Sequence, residues 1–149
     1  MPNHITNLIT APSSKTLEAI KTALCPESSD EPDFNALIPE TENNPNWYDW
    51  RLQNWGTKWN AYEPFCYGED FMQFDTAWSY PEQVVRALAK AVPEDWTWAY
   101  ADEDLGYNCG WVSCVKGRLK HHLPTHPLEF ACDIKGVVLE EHMREQAED

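Results

Sequence analysis

Asp102, Glu103 and Asp104 are three consecutive carboxylates in a chain otherwise poor in obvious catalytic spacing. Oxygen-rich runs can hold Mg²⁺ or Ca²⁺. A dedicated site draws its ligands from several segments, and Asp75 is the one tempting partner elsewhere. The run also departs from the EF-hand loop, where acids alternate with other residues. A solvated acidic turn is the favoured reading, because carboxylates are normally exposed. His121, His122 and His126 form a second cluster, with Cys114 and Cys132 nearby in sequence. H-x₃-H places two imidazoles together only on a helix, and Pro124 interrupts the interval. Cys109 and Cys114 lack the C-x₂-C spacing of a structural zinc site. No Cys–His pair carries a local nucleophile signature. The chain also lacks a G-x-S-x-G elbow, a phosphate-binding glycine loop and a G-x-G-x-x-G turn, and its 6 glycines leave little room for one. No metal and no other cofactor is expected.

Aromatic residues supply two further candidates. Asn54, Gly56, Thr57 and Lys58 lie around Trp55 and before Trp59, where aromatic walls with a few polar groups would suit a small ligand. The competing reading, which we favour, is that Trp47, Trp55 and Trp59 staple an inserted helix to a sheet. Trp96, Trp98 and Tyr100 share one face of a predicted strand and have the geometry to stack on nucleic-acid bases. No basic strip surrounds them, since Lys116, Arg118 and Lys120 are the only clustered bases. These rings are therefore expected to face helices.

Charge sets the broad class. The 149 residues carry 25 acids against 11 bases, a net charge of −14. Phosphate-neutralising nucleic-acid binding runs on Lys and Arg, so direct binding of nucleic acid is not expected. Apolar residues are 42% and charged residues 24%, the composition of one globular domain over 1–149. No apolar run is long enough to cross a membrane. Met1-Pro2-Asn3-His4 shows no secretory signal, and the 5 cysteines are expected to stay reduced in a cytoplasmic setting.

The elements that position these residues follow from periodicity. Ile5–Thr10 reads as a strand, and a helix with Leu17, Ile20 and Leu24 on one face follows a Ser13 or Ser14 cap and stops at Pro26. Residues 26–46 read as a long acidic loop rich in proline, with Phe34, Leu37 and Ile38 pinning its middle. Asn44-Pro45 opens a Trp-rich helix that Gly56 ends, and an extended connection runs from Lys58 to Tyr62. Phe71–Trp78 alternates, placing Met72, Phe74, Thr76 and Trp78 on one side. Ser79 and Glu82 form a capping box before a helix carrying Val84, Val85, Leu88, Ala91 and Val92. Strands over Trp96–Ala101 and Asn108–Lys116 come next, with a turn at Gly117. Residues 118–135 are ambiguous around Pro124 and Pro127, and Val137–Glu148 reads as an acidic C-terminal helix. The sum is an α+β, ferredoxin-like split βαβ antiparallel sheet, with the Trp-rich helix inserted between its halves.

Four strings add to this. They are Met1-Pro2-Asn3-His4-Ile5-Thr6-Asn7, Asn54-Trp55-Gly56-Thr57-Lys58-Trp59-Asn60-Ala61-Tyr62, Phe74-Asp75-Thr76-Ala77-Trp78-Ser79, and Tyr100-Ala101-Asp102-Glu103-Asp104-Leu105-Gly106. Together the chain resembles the YubB-type ferredoxin-like family of plasmid- and phage-carried proteins, over residues 1 to about 112. The resemblance implies a ferredoxin-like topology and a mobile-element origin, and no activity. Residues 26–46 and 117–149 look particular to this chain. The expected function is a non-enzymatic acidic interaction protein that binds a basic host protein or complex. It would mimic the charge of nucleic acid and so inhibit host defence. The expected contact residues are Glu69, Asp70, Asp102, Glu103 and Asp104, all on stretches expected to be exposed. The alternative is a small-ligand or metal-dependent enzyme using a Trp-lined pocket.

Overall fold

The computed structural model describes residues 3–27 and 29–148. Met1 and Pro2 of the opening string, Ser28 of the acidic stretch and the terminal Asp149 lie outside the described residues. Strand β1 (His4–Thr10) is followed by helix α1 (Ser14–Leu24), whose N-cap Ser13 accepts a hydrogen bond from the Thr16 amide. The insertion holds a short 3₁₀ turn (Phe34–Ala36) and helix α2 (Trp47–Asn54). Strands β2 (Tyr62–Tyr67) and β3 (Phe71–Ala77) lead to helix α3 (Glu82–Ala91). Strands β4 (Trp96–Asp102), β5 (Cys109–Val115) and β6 (Arg118–His122) form a meander. Helices α4 (Pro127–Lys135) and α5 (Leu139–Glu148) close the chain.

The six strands form one antiparallel sheet in the order β2-β3-β1-β4-β5-β6. β1 and β2 flank β3, and β3 and β4 flank β1, which is the split βαβ arrangement twice over. The β5–β6 hairpin extends it past β4. The insertion leaves between α1 and β2, inside the first split unit and not between the two halves. One sheet face buries Ile9, Met72, Phe74, Trp96, Trp98 and Val112 against Leu17, Ile20 and Leu24 of α1 and Val84, Val85 and Leu88 of α3. Trp96, Trp98 and Tyr100 are 2%, 0% and 3% exposed, so they face helices as expected and offer no stacking platform. The opposite face is partly covered by α4, which lays Ala131 on Ala101 and Cys109. Its Phe130 ring lies 5.5 Å from Trp111.

Four local expectations need correction. Ser79 does not cap α3: its hydroxyl donates to the Gly56 carbonyl at 2.6 Å, and Pro81 holds the N-cap position without a side-chain bond. Asn44 is not the cap of α2; it accepts from the Asn46 amide one turn earlier, and the helix starts at Trp47. Ala89, not Ala91, is the buried alanine of α3. Trp78 does not continue the buried face of β3. Its φ of +68° ends the strand at Ala77 and turns the ring outward to 44% exposure. At the sheet edges, β2 carries Pro64 and an irregular register between Tyr62 and Cys66, while β6 exposes Arg118 and Lys120.

Candidate functional site

The four quoted strings meet at one end of the sheet, where β1 begins and β3 and β4 finish. A buried polar chain ties them. The Trp98 indole N–H donates to Asn7 Oδ1 at 2.9 Å, and Asn7 Nδ2 donates to Ile5 O at 3.2 Å and to Thr76 Oγ1 at 2.9 Å. Thr76 passes its own proton to Ser79 O at 2.7 Å. The Asn7 amide is thereby fully used, which fixes its orientation. Thr57 Oγ1 donates to Ala77 O at 2.7 Å, and Ser79 returns the link to Gly56. Buried networks of this kind hold a unique backbone arrangement when every member is satisfied.

This lock presents a surface. The Trp78 amide donates to Asn3 O at 2.9 Å, and its carbonyl accepts from Asn108 Nδ2 at 3.1 Å. The Lys58 ammonium lies 4.7 Å from the ring centroids of both Trp59 and Trp78. Tyr62 donates its hydroxyl proton to Thr76 O at 3.1 Å, so it accepts from His4 Nδ1–H at 2.7 Å. That assigns the Nδ1–H tautomer to His4 when the ring is neutral.

Behind this surface, Asp75 is 9% exposed and its Oδ1 has no hydrogen-bond partner. Burial pushes its carboxyl up to about 6, against the opposing pull of Lys135, His4 and Thr6. Lys135, at the end of α4, donates to Thr6 Oγ1 at 2.9 Å, and burial pulls its own pKa down. Between about pH 4 and 6 the folded protein keeps a proton on Asp75 that the unfolded chain has released. Stability therefore falls as pH rises through that window and levels off above it. Asp75→Asn should flatten this slope and stabilise the protein at pH 7 by about 1–3 kcal/mol. Chemical denaturation of both proteins from pH 4 to 7 checks this, and parallel curves would contradict it.

The expected contact carboxylates are not one patch. Asp102 is 2% exposed: it accepts from Asn3 Nδ2 at 3.0 Å and from the Asp104 amide at 2.9 Å, and its other oxygen lies 3.4 Å from Asn108 Nδ2. It organises the turn and corrects the expectation of an exposed residue. Glu103 and Asp104 are exposed, although Glu103 also accepts from the His4 amide at 3.0 Å. Glu69 and Asp70 are exposed too, but they sit at the far end of β1, where Ala11 donates to Asp70 O. The length of β1 separates the two groups by about 20 Å. The His/Cys cluster is also divided. Cys114 and His121 project to the α3 side of the sheet, while His122 and the α4 residue Cys132 lie on the other. Among the described residues no group of three His, Cys, Asp or Glu is placed to hold a metal ion. Burial raises the thiols of Cys25, Cys109, Cys114 and Cys132, so none of them is an activated nucleophile.

A family model described as the ferredoxin-like domain in Api92-like protein matches residues 54–135. The chain belongs to that family. Neither a curated protein nor a solved structure matches it. The region shared with the Api92-like family opens on the Asn54-Trp55-Gly56-Thr57-Lys58-Trp59 string and ends on Lys135, so it includes the Lys58, Trp78 and Asp75 surroundings and the α4 anchor.

One cavity in the Api92-like domain went unread in the sequence. It measures about 190 Å³ and is lined by Tyr80, Val85, Val112, Leu119 and His121, with Glu82 and Arg86 at its rim. Tyr80 stacks on Tyr100 at 4.3 Å, and the Tyr100 hydroxyl meets His121 Nε2 at 2.6 Å. Gly110 makes this possible, since a Cβ there would lie 2.9 Å from the Tyr100 hydroxyl oxygen. Only the Tyr100–Gly110 cross-strand pairing reveals it, and that pairing requires the register. Trp55 and Trp47, both read as walls of a Trp-lined pocket or as staples of the insertion, play different parts. Trp55 is 0% exposed and donates its indole N–H to Ile38 O, stapling the insertion as favoured, while Trp47 is 37% exposed on α2.

Proposed function

We propose that this chain is a non-enzymatic interaction protein of YubB type, carried by a mobile genetic element and working in the cytoplasm. In this reading it docks on a basic host protein in place of nucleic acid and so inhibits a host defence complex. The observation that carries the reading is the lack of internal neutralisation. Among the described residues only Arg51–Glu40 and Arg86–Glu82 lie within ion-pair distance, in a chain with 25 acids. The remaining carboxylates project an uncompensated negative field, which steers basic partners and speeds their association. No helix among the described residues is long and apolar enough to cross a membrane.

The test is affinity capture from host lysate at low salt with elution in a salt gradient. A nucleic-acid-processing protein released at moderate salt is the expected result. Reversing Glu103 and Asp104 together to lysine, and leaving the buried Asp102 alone, should weaken that complex about tenfold at low salt. The difference should fade as salt screens it. Both side chains are exposed, so stability should fall only by the one hydrogen bond that Glu103 accepts from the His4 amide, about 0.5–1.5 kcal/mol. Undiminished binding by the double variant would remove these two residues from the contact surface.

A second reading has the 190 Å³ cavity beside Tyr80 and His121 in its favour. A small ligand seated there would raise the unfolding temperature with the logarithm of its concentration above Kd.

A further inference from the structure

We propose that Trp59 and Trp78 form a cation clamp, plugged in the free protein by Lys58, that receives a cationic side chain of a basic protein partner. The proposal deepens the acidic-docking reading and rests on it.

The first ground is the position of Trp78. Strand alternation would send its ring to the buried face with Phe74 and Thr76. The backbone instead adopts φ +68° at a bulky residue, a strained conformation that surrounding structure must hold. Asn3 and Asn108 hold it from both sides through the amide and the carbonyl. The result is a large aromatic taken out of the core and set on the surface, 44% exposed.

The second ground is what the rings hold. A single ammonium lies 4.7 Å from both centroids, inside the range of a cation–π contact on each side. The fold contains a structural counterpart for comparison. Arg51 lies 5.0 and 5.2 Å from the rings of Trp47 and Trp55, but its guanidinium is also forked onto Glu40 at 2.9–3.2 Å. Arg51 is thereby tied down at both ends. Lys58 has no carboxylate within ion-pair distance among the described residues, despite the excess of acid. Among the described residues the two rings are the groups that hold its charge, so another cation can compete for them.

The third ground is the setting. Asn3 and His4 link Trp78 directly to Glu103, since Trp78 donates to Asn3 O while His4 and Glu103 exchange backbone and side-chain bonds. Exposed Glu103 thus lies on the same end of the sheet as the clamp, one bonded strand end away, and its charge favours a cation over an anion there. The walls are also rigid: Thr57 is bonded to Ala77 O and Ser79 to Gly56 O, immediately beside Lys58 and Trp78. A guanidinium suits such a site best, because it is weakly hydrated and stacks on aromatic faces.

A six-residue arginine peptide and its citrulline counterpart, which keeps the shape and loses the charge, are the probes. Binding is followed through the indole N–H signals in ¹H–¹⁵N spectra at low salt. The arginine peptide should shift the Trp59 and Trp78 signals, and the citrulline peptide should not. Lys58→Ala should tighten arginine-peptide binding about fivefold, as exposed cation–π contacts of ordinary strength allow. Trp78→Ala in the Lys58→Ala background should abolish that gain. If the gain survives there, it reflects only the loss of one positive charge, and the clamp is wrong. Salt-sensitive binding without Trp59 and Trp78 shifts also overturns the clamp, while leaving the acidic-docking reading in place. No binding of the arginine peptide at low salt counts against both.

Discussion

Trp98→Ala is expected to remove most of the stability of the protein. The side chain is fully buried, meets Phe74 edge-on at 5.6 Å, and donates its indole proton to Asn7. Emptying a buried aromatic site costs about 3–5 kcal/mol. Leaving the Asn7 oxygen buried without a donor adds about 1–3 kcal/mol. The sum rivals the whole stability of an ordinary domain, about 5–15 kcal/mol. Trp98→Phe separates the two terms: it keeps most of the volume and should cost chiefly the lost hydrogen bond. Urea unfolding midpoints measure both. A loss below about 1 kcal/mol for Trp98→Ala would show that the chain through Asn7 and Thr76 does not hold the sheet end together.

Gly56→Ala is expected to have the next largest effect. The residue has φ +86°, and a Cβ there would meet the Glu82 backbone nitrogen at 2.9 Å and Gln83 Oε1 at 2.7 Å. The side-chain oxygen can swing away, but the start of α3 cannot. Backbone strain plus displacement should cost about 2–4 kcal/mol. Gly136 is the control, with φ +69° and nothing within 4 Å of an added Cβ. Its alanine variant should show only the left-handed penalty, about 1–2 kcal/mol. Equal losses at the two positions would mean that contact with α3 adds nothing. A shifted Gly56 also moves the acceptor of Ser79, so the Trp59 and Trp78 indole signals should change in Gly56→Ala and stay fixed in Gly136→Ala.

The sequence was informative where one face of an element is buried and the other wet. β1, β3, β4, β5, α1 and α3 all announce themselves through spacing, and together they define the ferredoxin-like order. β2 and β6 do not, because edge strands alternate weakly. Tyr62–Tyr67 contains Glu63 and Pro64, and Arg118–His122 is mostly polar. α4 was hidden by Pro127, which acts as a first-turn proline and not as a breaker. The acidic run illustrates a deeper limit. Asp102 and Glu103 are chemically alike and adjacent, yet one is buried and the other exposed. The difference comes from Asn3, which reaches Asp102 only after β1 has paired with β4, and from Asn108, which the β4–β5 turn brings round. The same holds for Lys58 and Trp78, brought together by the β2–β3 hairpin. Nor does a serine three residues before a glutamate reveal that Ser79 serves Gly56 instead of its own helix.

The two edges of the sheet bear on how the molecule behaves at high concentration. An open antiparallel sheet offers unpaired backbone groups at each border, a template for a neighbouring chain. Here Pro64 withholds one donor from the β2 border, and the irregular register there spoils a straight ladder. Arg118 and Lys120 place positive charge on the β6 border, so two such borders repel one another. Both safeguards act locally and do not depend on net charge. The β2 border thereby resists a straight ladder, and β6-to-β6 pairing is opposed, even when a basic partner has neutralised the acidic field.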